Sequence, residues 1–238
     1  MGNMVETIFA KSSGGGVSAI CVIRISGPKA LKTINGLLRS ELRFTPRQAS
    51  LRTLWWNGVK LDQALVVFFP KGSSFTGEET VELHLHGSKA IIDMTLNALG
   101  SFEDIRQAGP GDFTRQALKN GNLSLTQIEG LANLINAETQ AQKLLADKLF
   151  SGDFNKTVNS WKGKLLNIKA NLEAAIDFAD ENLEIDIEKE VTKHVNEIIK
   201  EISKEVSGSF YAERINRGFE VAIVGGVNVG KSTLLNYL

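Results

Sequence analysis

Two groups of residues have the types and spacing to do chemistry. The first, residues 225–233, reads Gly-Gly-Val-Asn-Val-Gly-Lys-Ser-Thr and fits the phosphate-loop pattern G-x-x-x-x-G-K-[ST] at every position. Gly225 and Gly230 permit a tight turn whose N–H groups can face phosphate oxygens, and a following helix N-terminus adds positive potential. Lys231 is then expected to reach the β- and γ-phosphates, and Ser232 to offer its hydroxyl to Mg²⁺. The second group lies on two β-rich runs. Arg24 interrupts Ile20, Cys21, Val22, Ile23 and Ile25, where a charge is costly unless a carboxylate or an anionic ligand compensates it. Glu82, His84 and His86 alternate with Val81, Leu83 and Leu85, so three titratable groups share one strand face. That face could be a metal site, a proton-transfer site, a ligand-binding wall or simply solvated surface. Metal is the weakest of these, because no further ligand cluster lies nearby in sequence.

The elements needed to position these groups can be read in turn. Residues 219–224 read as a buried strand before the loop, and 233–238 as the first turns of a helix after it. A nucleotide-binding α/β domain takes on the order of 100 residues, and no Asp-x-x-Gly or Asn-Lys-x-Asp segment follows, so the chain looks truncated. Upstream, residues 6–10 and 18–26 read as strands around a Ser/Gly loop, and Gly27-Pro28 opens a helix to about Leu38. Residues 51–69 read as a hairpin turning at Asn57-Gly58, and a polar loop over 71–79 leads into a strand over 80–85. Ser88 is expected to cap a helix to about Leu99 with Ile91, Ile92, Met94 and Leu99 on its apolar face. Gly109-Pro110-Gly111-Asp112 precedes a helix over 113–119 that Asn120-Gly121 ends. Ser124 and Gln127 have capping-box spacing ahead of a helix bearing Leu125, Ile128, Leu131 and Ile135.

Beyond this point Phe154, Val158, Trp161, Leu165, Ile168, Leu172 and Ala175 step by four and three, the period of a long bundle helix. An acidic connection over 177–190 leads to a further helix marked by Val191, Val195, Ile198, Ile202 and Val206. The 27 Lys and Arg balance the 27 Asp and Glu, so bulk charge does not announce a nucleic-acid partner. The single cysteine, Cys21, excludes an intrachain disulfide framework and a multi-cysteine zinc site. Neither a secretory signal nor a membrane span is visible, so a cytoplasmic location is the default expectation.

In this order the pieces resemble the MnmE (TrmE) family, the tRNA modification GTPases. The carriers are Val22-Ile23-Arg24-Ile25-Ser26-Gly27-Pro28, Phe75-Thr76-Gly77-Glu78-Glu79, Val81-Glu82-Leu83-His84-Leu85-His86-Gly87, Gly109-Pro110-Gly111-Asp112-Phe113-Thr114, Ala175-Ile176-Asp177-Phe178 and the phosphate loop. The resemblance implies an α+β folate-binding and dimerisation domain over 1–121, similar in fold to aminomethyltransferases. It implies an α-helical bundle segment over 122–217, the first part of a discontinuous helical domain. Over 218–238 it implies the first strand and P-loop of a truncated α/β GTPase domain.

It further implies GTP hydrolysis in the full-length parent, with no catalytic residue inside this chain. The implied reaction adds a carboxymethylaminomethyl or aminomethyl group to C5 of wobble uridine 34 in tRNA, together with the flavoprotein MnmG in a heterotetramer. A one-carbon tetrahydrofolate, 5-formyl or 5,10-methylene, would be the cofactor. Carried over by position, Arg24, Glu82 and Asn122 contact folate, and Asn228, Val229, Gly230, Lys231, Ser232 and Thr233 contact GTP. Asn228 would bind K⁺ and Ser232 Mg²⁺. The third folate position is usually lysine; Asn122 can donate a hydrogen bond there but cannot neutralise a carboxylate, with Lys119 the neighbouring charge. The other reading is a non-catalytic folate-binding and dimerisation module with a vestigial nucleotide-binding stub.

Overall fold

The computed structural model of the chain describes residues 6–39, 43–177, 187–218 and 222–237. It divides into two units, Met1–Leu125 and Thr126–Leu238. The first is built on one six-stranded sheet: β1 (Thr7–Lys11), β2 (Ile20–Ser26), β3 (Ser50–Trp56), β4 (Val59–Phe69), β5 (Thr80–His86) and β6 (Ile105–Gln107). The spatial order is β3-β4-β5-β2-β1-β6, antiparallel throughout except for the parallel β1/β6 pair. The expected hairpin is present, with Asn57 and Gly58 both at positive φ (47° and 86°), as a type I′ turn requires.

Alternation along the strands builds the core on one sheet face. Cys21, Ile23 and Ile25 of β2 and Val81, Leu83 and Leu85 of β5 are buried there. Helices α1 (Ala30–Leu38) and α2 (Lys89–Gly100) supply Ile34, Leu37, Ile92 and Leu99 to the same core. Two helix details differ from the sequence reading. Ser88 sits at the N-cap of α2 in extended backbone but its hydroxyl makes no cap hydrogen bond. Met94 is exposed, and its neighbour Thr95 is the buried residue, donating its hydroxyl to the Ile91 carbonyl. The chain enters α1 through Gly27 at φ +136°, where a Cβ would stand 2.5 Å from the Thr7 Cα. Only glycine fits that backbone and that gap.

A third helix, α3 (Asp112–Lys119), approaches the opposite sheet face, where Phe113 meets Arg24 and Gln116 meets Ser26. Its start is fixed by Asp112, which accepts from the Gly109 N–H and from Arg106 and is held well below the usual carboxylate range chiefly by that arginine.

The second unit is helical: α4 (Leu125–Ile135), α5 (Gln140–Phe150), α6 (Asp153–Asp177), α7 (Ile187–Arg217) and the short α8 (Lys231–Tyr237). Helix α5 went unread in the sequence, although Thr139 and Gln142 form a complete capping box at its start. Buried Gly130 lets α4 reach the end of α5, since a Cβ there would lie 2.5 Å from the Phe150 nitrogen. Trp161 Nε1 and Lys164 Nζ of α6 both donate to Glu201 of α7, at 2.9 and 2.7 Å. The expected seam along α6 is only partly covered: Ile168 is buried, whereas Leu165 and Leu172 are exposed. Residues 187–190, read as part of the acidic connection, are already helical in α7, and residues 178–186 of that connection lie outside the described residues.

The strand expected ahead of the phosphate loop is not formed over its described part, residues 222–224. Residues 222–226 have no ladder partner, and Val224 is 90% exposed, while 219–221 lie outside the described residues. A strand needs a neighbour for its backbone N–H and C=O groups, and no described strand lies beside this one. Helix α8 begins at Lys231, two residues before the expected start, with Leu234 N donating to the Gly230 carbonyl. No helix of the described residues is long and apolar enough to cross a membrane.

Candidate functional site

The register of the central strands creates the site. Arg24 and Glu82 stand directly opposite each other across the antiparallel β2/β5 pair, where an opposite-charge pair stabilises a sheet by ~0.2–1 kcal/mol. Arg24 Nε and Nη2 both donate to Glu82 Oε1, at 3.0 and 2.7 Å. Its guanidinium carbon also lies 5.5 Å from the ring centres of Phe75 and of Phe113, within cation–π range of each. Three elements therefore fix one cation: a strand partner, the loop after β4, and α3. Glu82 Oε2 is left outside this grip. A cavity of about 200 Å³ opens beside the pair, with Arg24, Glu82, Arg47, Phe69, Phe75 and Thr80 in its lining.

The loop that supplies Phe75 is held as firmly as the strands. Asn122 Nδ2 donates to the Ser74 and Phe75 carbonyls, at 3.0 and 3.4 Å. Asn120 Nδ2 donates to the Thr76 carbonyl and to the buried Glu78 carboxylate. Gly77, at φ +78°, passes so close to Asn120 and Asn122 that a Cβ would sit 3.0 Å from one and 3.1 Å from the other. Beneath it, Ser26, Thr76, Thr80 and Gln116 form a chain of hydrogen bonds, with Ser26 Oγ 2.7 Å from Thr76 Oγ1 and 2.8 Å from Gln116 Oε1. Glu79 completes the fixation by accepting from the Leu31 N–H at the start of α1, a helix without a side-chain cap of its own.

Thus Arg24, Glu82 and Asn122, far apart in sequence, meet around Phe75. Asn122 acts on the loop's carbonyls and, like Lys119, is absent from the cavity lining. The three titratable groups of β5 separate. Glu82 serves Arg24; His84 Nε2 is buried without a hydrogen-bond partner, 3.7 Å from Glu82 Oε2. His86 instead binds Asp62 of β4, with Nδ1 2.9 Å from Oδ1 and its backbone N–H on Oδ2. Burial would raise the Asp62 pKa, but hydrogen bonds from His86 and the Gln63 N–H outweigh it and hold the carboxyl below its usual range. No group of three or more His, Cys, Asp or Glu suited to a metal occurs among the described residues. Sequence reasoning missed Phe113 as a guanidinium platform, Asn120 as a loop clamp and Arg47 as a lining residue; none carries a local pattern that announces its role.

In the phosphate loop, Asn228 and Gly230 take positive φ (62° and 86°), a conformation that helps aim successive N–H groups inward. Lys231 Nζ donates to the Gly225 and Gly226 carbonyls, folding across the loop. Asn228, Val229, Gly230, Ser232 and Thr233 are all exposed. The arrangement offers backbone donors, one ammonium and two hydroxyls, the donor set that suits a nucleoside phosphate and a hard cation.

Comparison with known proteins agrees with both halves. Residues 7–122 match the family described as GTP-binding protein TrmE N-terminus, and residues 125–224 match the MnmE helical domain. Among similar proteins, the tRNA modification GTPase MnmE of Cereibacter sphaeroides is 46% identical over 236 residues, covering 98% of this chain and 54% of the relative. The protein of that name from Roseobacter denitrificans is 45% identical over 238 residues, with 98% and 54% covered. That from Caulobacter vibrioides is 41% identical over 235 residues, with 99% and 52% covered. The chain spans about half the length of the curated relatives it matches. Two adjoining family matches over residues 7–224, with relatives alike along almost all of the chain, place it in the MnmE (TrmE) family.

Proposed function

We propose that the chain is part of a GTP-hydrolysing tRNA modification protein that binds a one-carbon tetrahydrofolate. With MnmG, it contributes to adding a carboxymethylaminomethyl or aminomethyl group to C5 of wobble uridine 34. The observation carrying this reading is the Arg24–Glu82 pair beside an aromatic-walled cavity, in a chain that also keeps every ligand position of the phosphate loop. The residues fit the cofactor. Glu82 Oε2 would accept from pterin N–H donors, with Arg24 holding the Glu82 carboxylate in place and Phe75 lining the cavity as an apolar wall. The chemistry a bound 5-formyl or 5,10-methylene tetrahydrofolate supplies is the carbon unit itself.

In the loop, backbone N–H groups with Lys231 would hold the phosphates of GTP, Ser232 would hold Mg²⁺, and Asn228 would contact K⁺. A homodimer in the cytoplasm, working with MnmG and tRNA, completes the reading. The neutral total charge also hides an asymmetry that suits an RNA partner. Residues 1–125 carry 14 Lys and Arg against 10 Asp and Glu, whereas residues 126–238 carry 13 against 17. The non-catalytic alternative draws on the unformed strand at 222–224, which leaves the loop without a sheet behind it among the described residues.

Titration of 5-formyltetrahydrofolate into the chain and into Arg24→Ala tests the folate half, and saturable binding lost in the variant is the expected outcome. Nucleoside analysis of tRNA from cells lacking the gene tests the other half. Loss of the C5 modification at the wobble uridine is expected, and an unchanged profile would sink the reading.

A further inference from the structure

The cavity beside Arg24 and Glu82 contains a second guanidinium, that of Arg47, which no motif marks. Arg24 already spends Nε and Nη2 on Glu82 and lies within cation–π range of Phe75 and Phe113. Arg47 is exposed and spends Nη2 on the Ser73 carbonyl at 3.0 Å; it has no acidic partner among the described residues. A guanidinium has five N–H donors, so most of its capacity is open. Its backbone is also unusual. Arg47 sits at φ +58°, a left-handed conformation uncommon for any residue other than glycine, and its N–H is fixed on the Phe68 carbonyl. Such strain persists where surrounding structure over-determines a residue, and it clusters at ligand sites.

The size and chemistry of the cavity indicate what Arg47 would meet. About 200 Å³ is smaller than the ~300–1,000 Å³ of pockets that enclose a whole drug-sized ligand, so it takes one end of a folate. Phe69 and Phe75 in the lining suit a flat heterocycle, and Glu82 accepts from amino and ring N–H groups while repelling a ligand carboxylate. That favours the pterin end over the glutamate tail. A pterin presents its amino and ring N–H donors side by side, with the ring carbonyl acceptor next to that ring N–H. Glu82 serves the first and lacks any donor for the second.

We infer that Arg47 is a ligand-contacting residue of this site, donating to the ring carbonyl of a bound pterin whose adjacent N–H donors are held by Glu82. The inference rests on the folate reading above and adds to it the group that would read the pterin carbonyl. Lys119, which does not line the cavity, is then not needed for this end of the ligand.

The test is titration of two probes, 5-formyltetrahydrofolate and a tetrahydropterin lacking the p-aminobenzoylglutamate tail, into the whole chain and into Arg47→Gln and Arg47→Lys. Thermal melting is recorded alongside. Arg47→Gln should weaken both probes by the same factor, ten-fold or more, and Arg47→Lys should recover part of the loss, with melting unchanged in both. Binding of both probes by the parent chain with no change in Arg47→Gln overturns the inference and leaves the folate reading standing. Weakening of the tailed probe alone also overturns it, by placing Arg47 on the glutamate carboxylates. Loss of binding that tracks a lowered melting temperature, without recovery in Arg47→Lys, reduces Arg47 to a support for the Ser73 loop. No binding of either probe by the folded parent chain overturns both.

Discussion

The phosphate loop and the Arg24–Glu82 site are opposites in how they are built. The loop can be read from nine consecutive residues, yet it is exposed and has no described strand ladder behind it. The Arg24 site has no consecutive pattern at all. It is assembled from β2, β5, the 71–79 loop and α3, and almost every polar group in it has a partner. Local motifs encode backbone shape, which a few residues can set by themselves. A site that depends on a fixed side chain needs a scaffold that only long-range packing provides.

Four tests would break or sharpen this contrast. The largest effect belongs to a glycine pair. Gly27→Ala puts a Cβ against the Thr7 backbone at a φ that only glycine favours and should cost at least ~3 kcal/mol in denaturant unfolding. In Gly226→Ala, the nearest atom outside the local backbone is 3.8 Å away and stability should stay within ~0.5 kcal/mol. Equal losses would remove the distinction between the two regions. Next, Arg24→Ala leaves Glu82 half-buried and without its cation, and should cost ~1–3 kcal/mol. The double variant with Glu82→Gln should recover part of this in a double-mutant cycle.

Asp62 comes third. Its carboxyl is depressed in the folded chain, so its stabilisation is present above the ordinary carboxylate pKa and is lost as pH falls through the depressed value. Asp62→Asn should lower stability at pH 7 by roughly 1–2 kcal/mol and flatten the acid limb of a melting-temperature profile below about pH 4. An acid limb as steep as the parent's would assign that loss to other carboxylates. The smallest effect on the fold is expected from Lys231→Ala. It should leave melting within ~0.5 kcal/mol while abolishing binding of a fluorescent guanine nucleotide.

Legibility followed the same division. The Asn57-Gly58 turn and the alternation of β5 were readable because each depends on neighbours in sequence. β6 was missed because Ile105–Gln107 is three residues long and exists only by pairing with β1. The inward residue of α2 is Thr95 rather than Met94, since its hydroxyl is satisfied by the Ile91 carbonyl and can therefore be buried. Arg24 was recognisable as a charge in need of compensation, but its partner Glu82 is 58 positions away and follows from strand order. Asn122 belongs to the same region, though as a clamp on the Phe75 loop, a use that spacing alone cannot reveal. The apolar residues 222–224 show the converse: such a pattern is a strand only where another strand receives it.

The hydroxyl chain under the Phe75 loop also has a direction. Gln116 Nε2 donates to the Glu6 carbonyl, which turns its Oε1 toward Ser26 and obliges the Ser26 hydroxyl to donate. Ser26 Oγ can then only accept from Thr76 and Thr80, and Thr76 Oγ1 in turn accepts from the Glu78 N–H. One amide on α3 thereby orients the Ser26 and Thr76 hydroxyls. The polarity of the floor beneath the cavity is fixed before any ligand arrives, so a guest meets one arrangement of dipoles instead of having to select it.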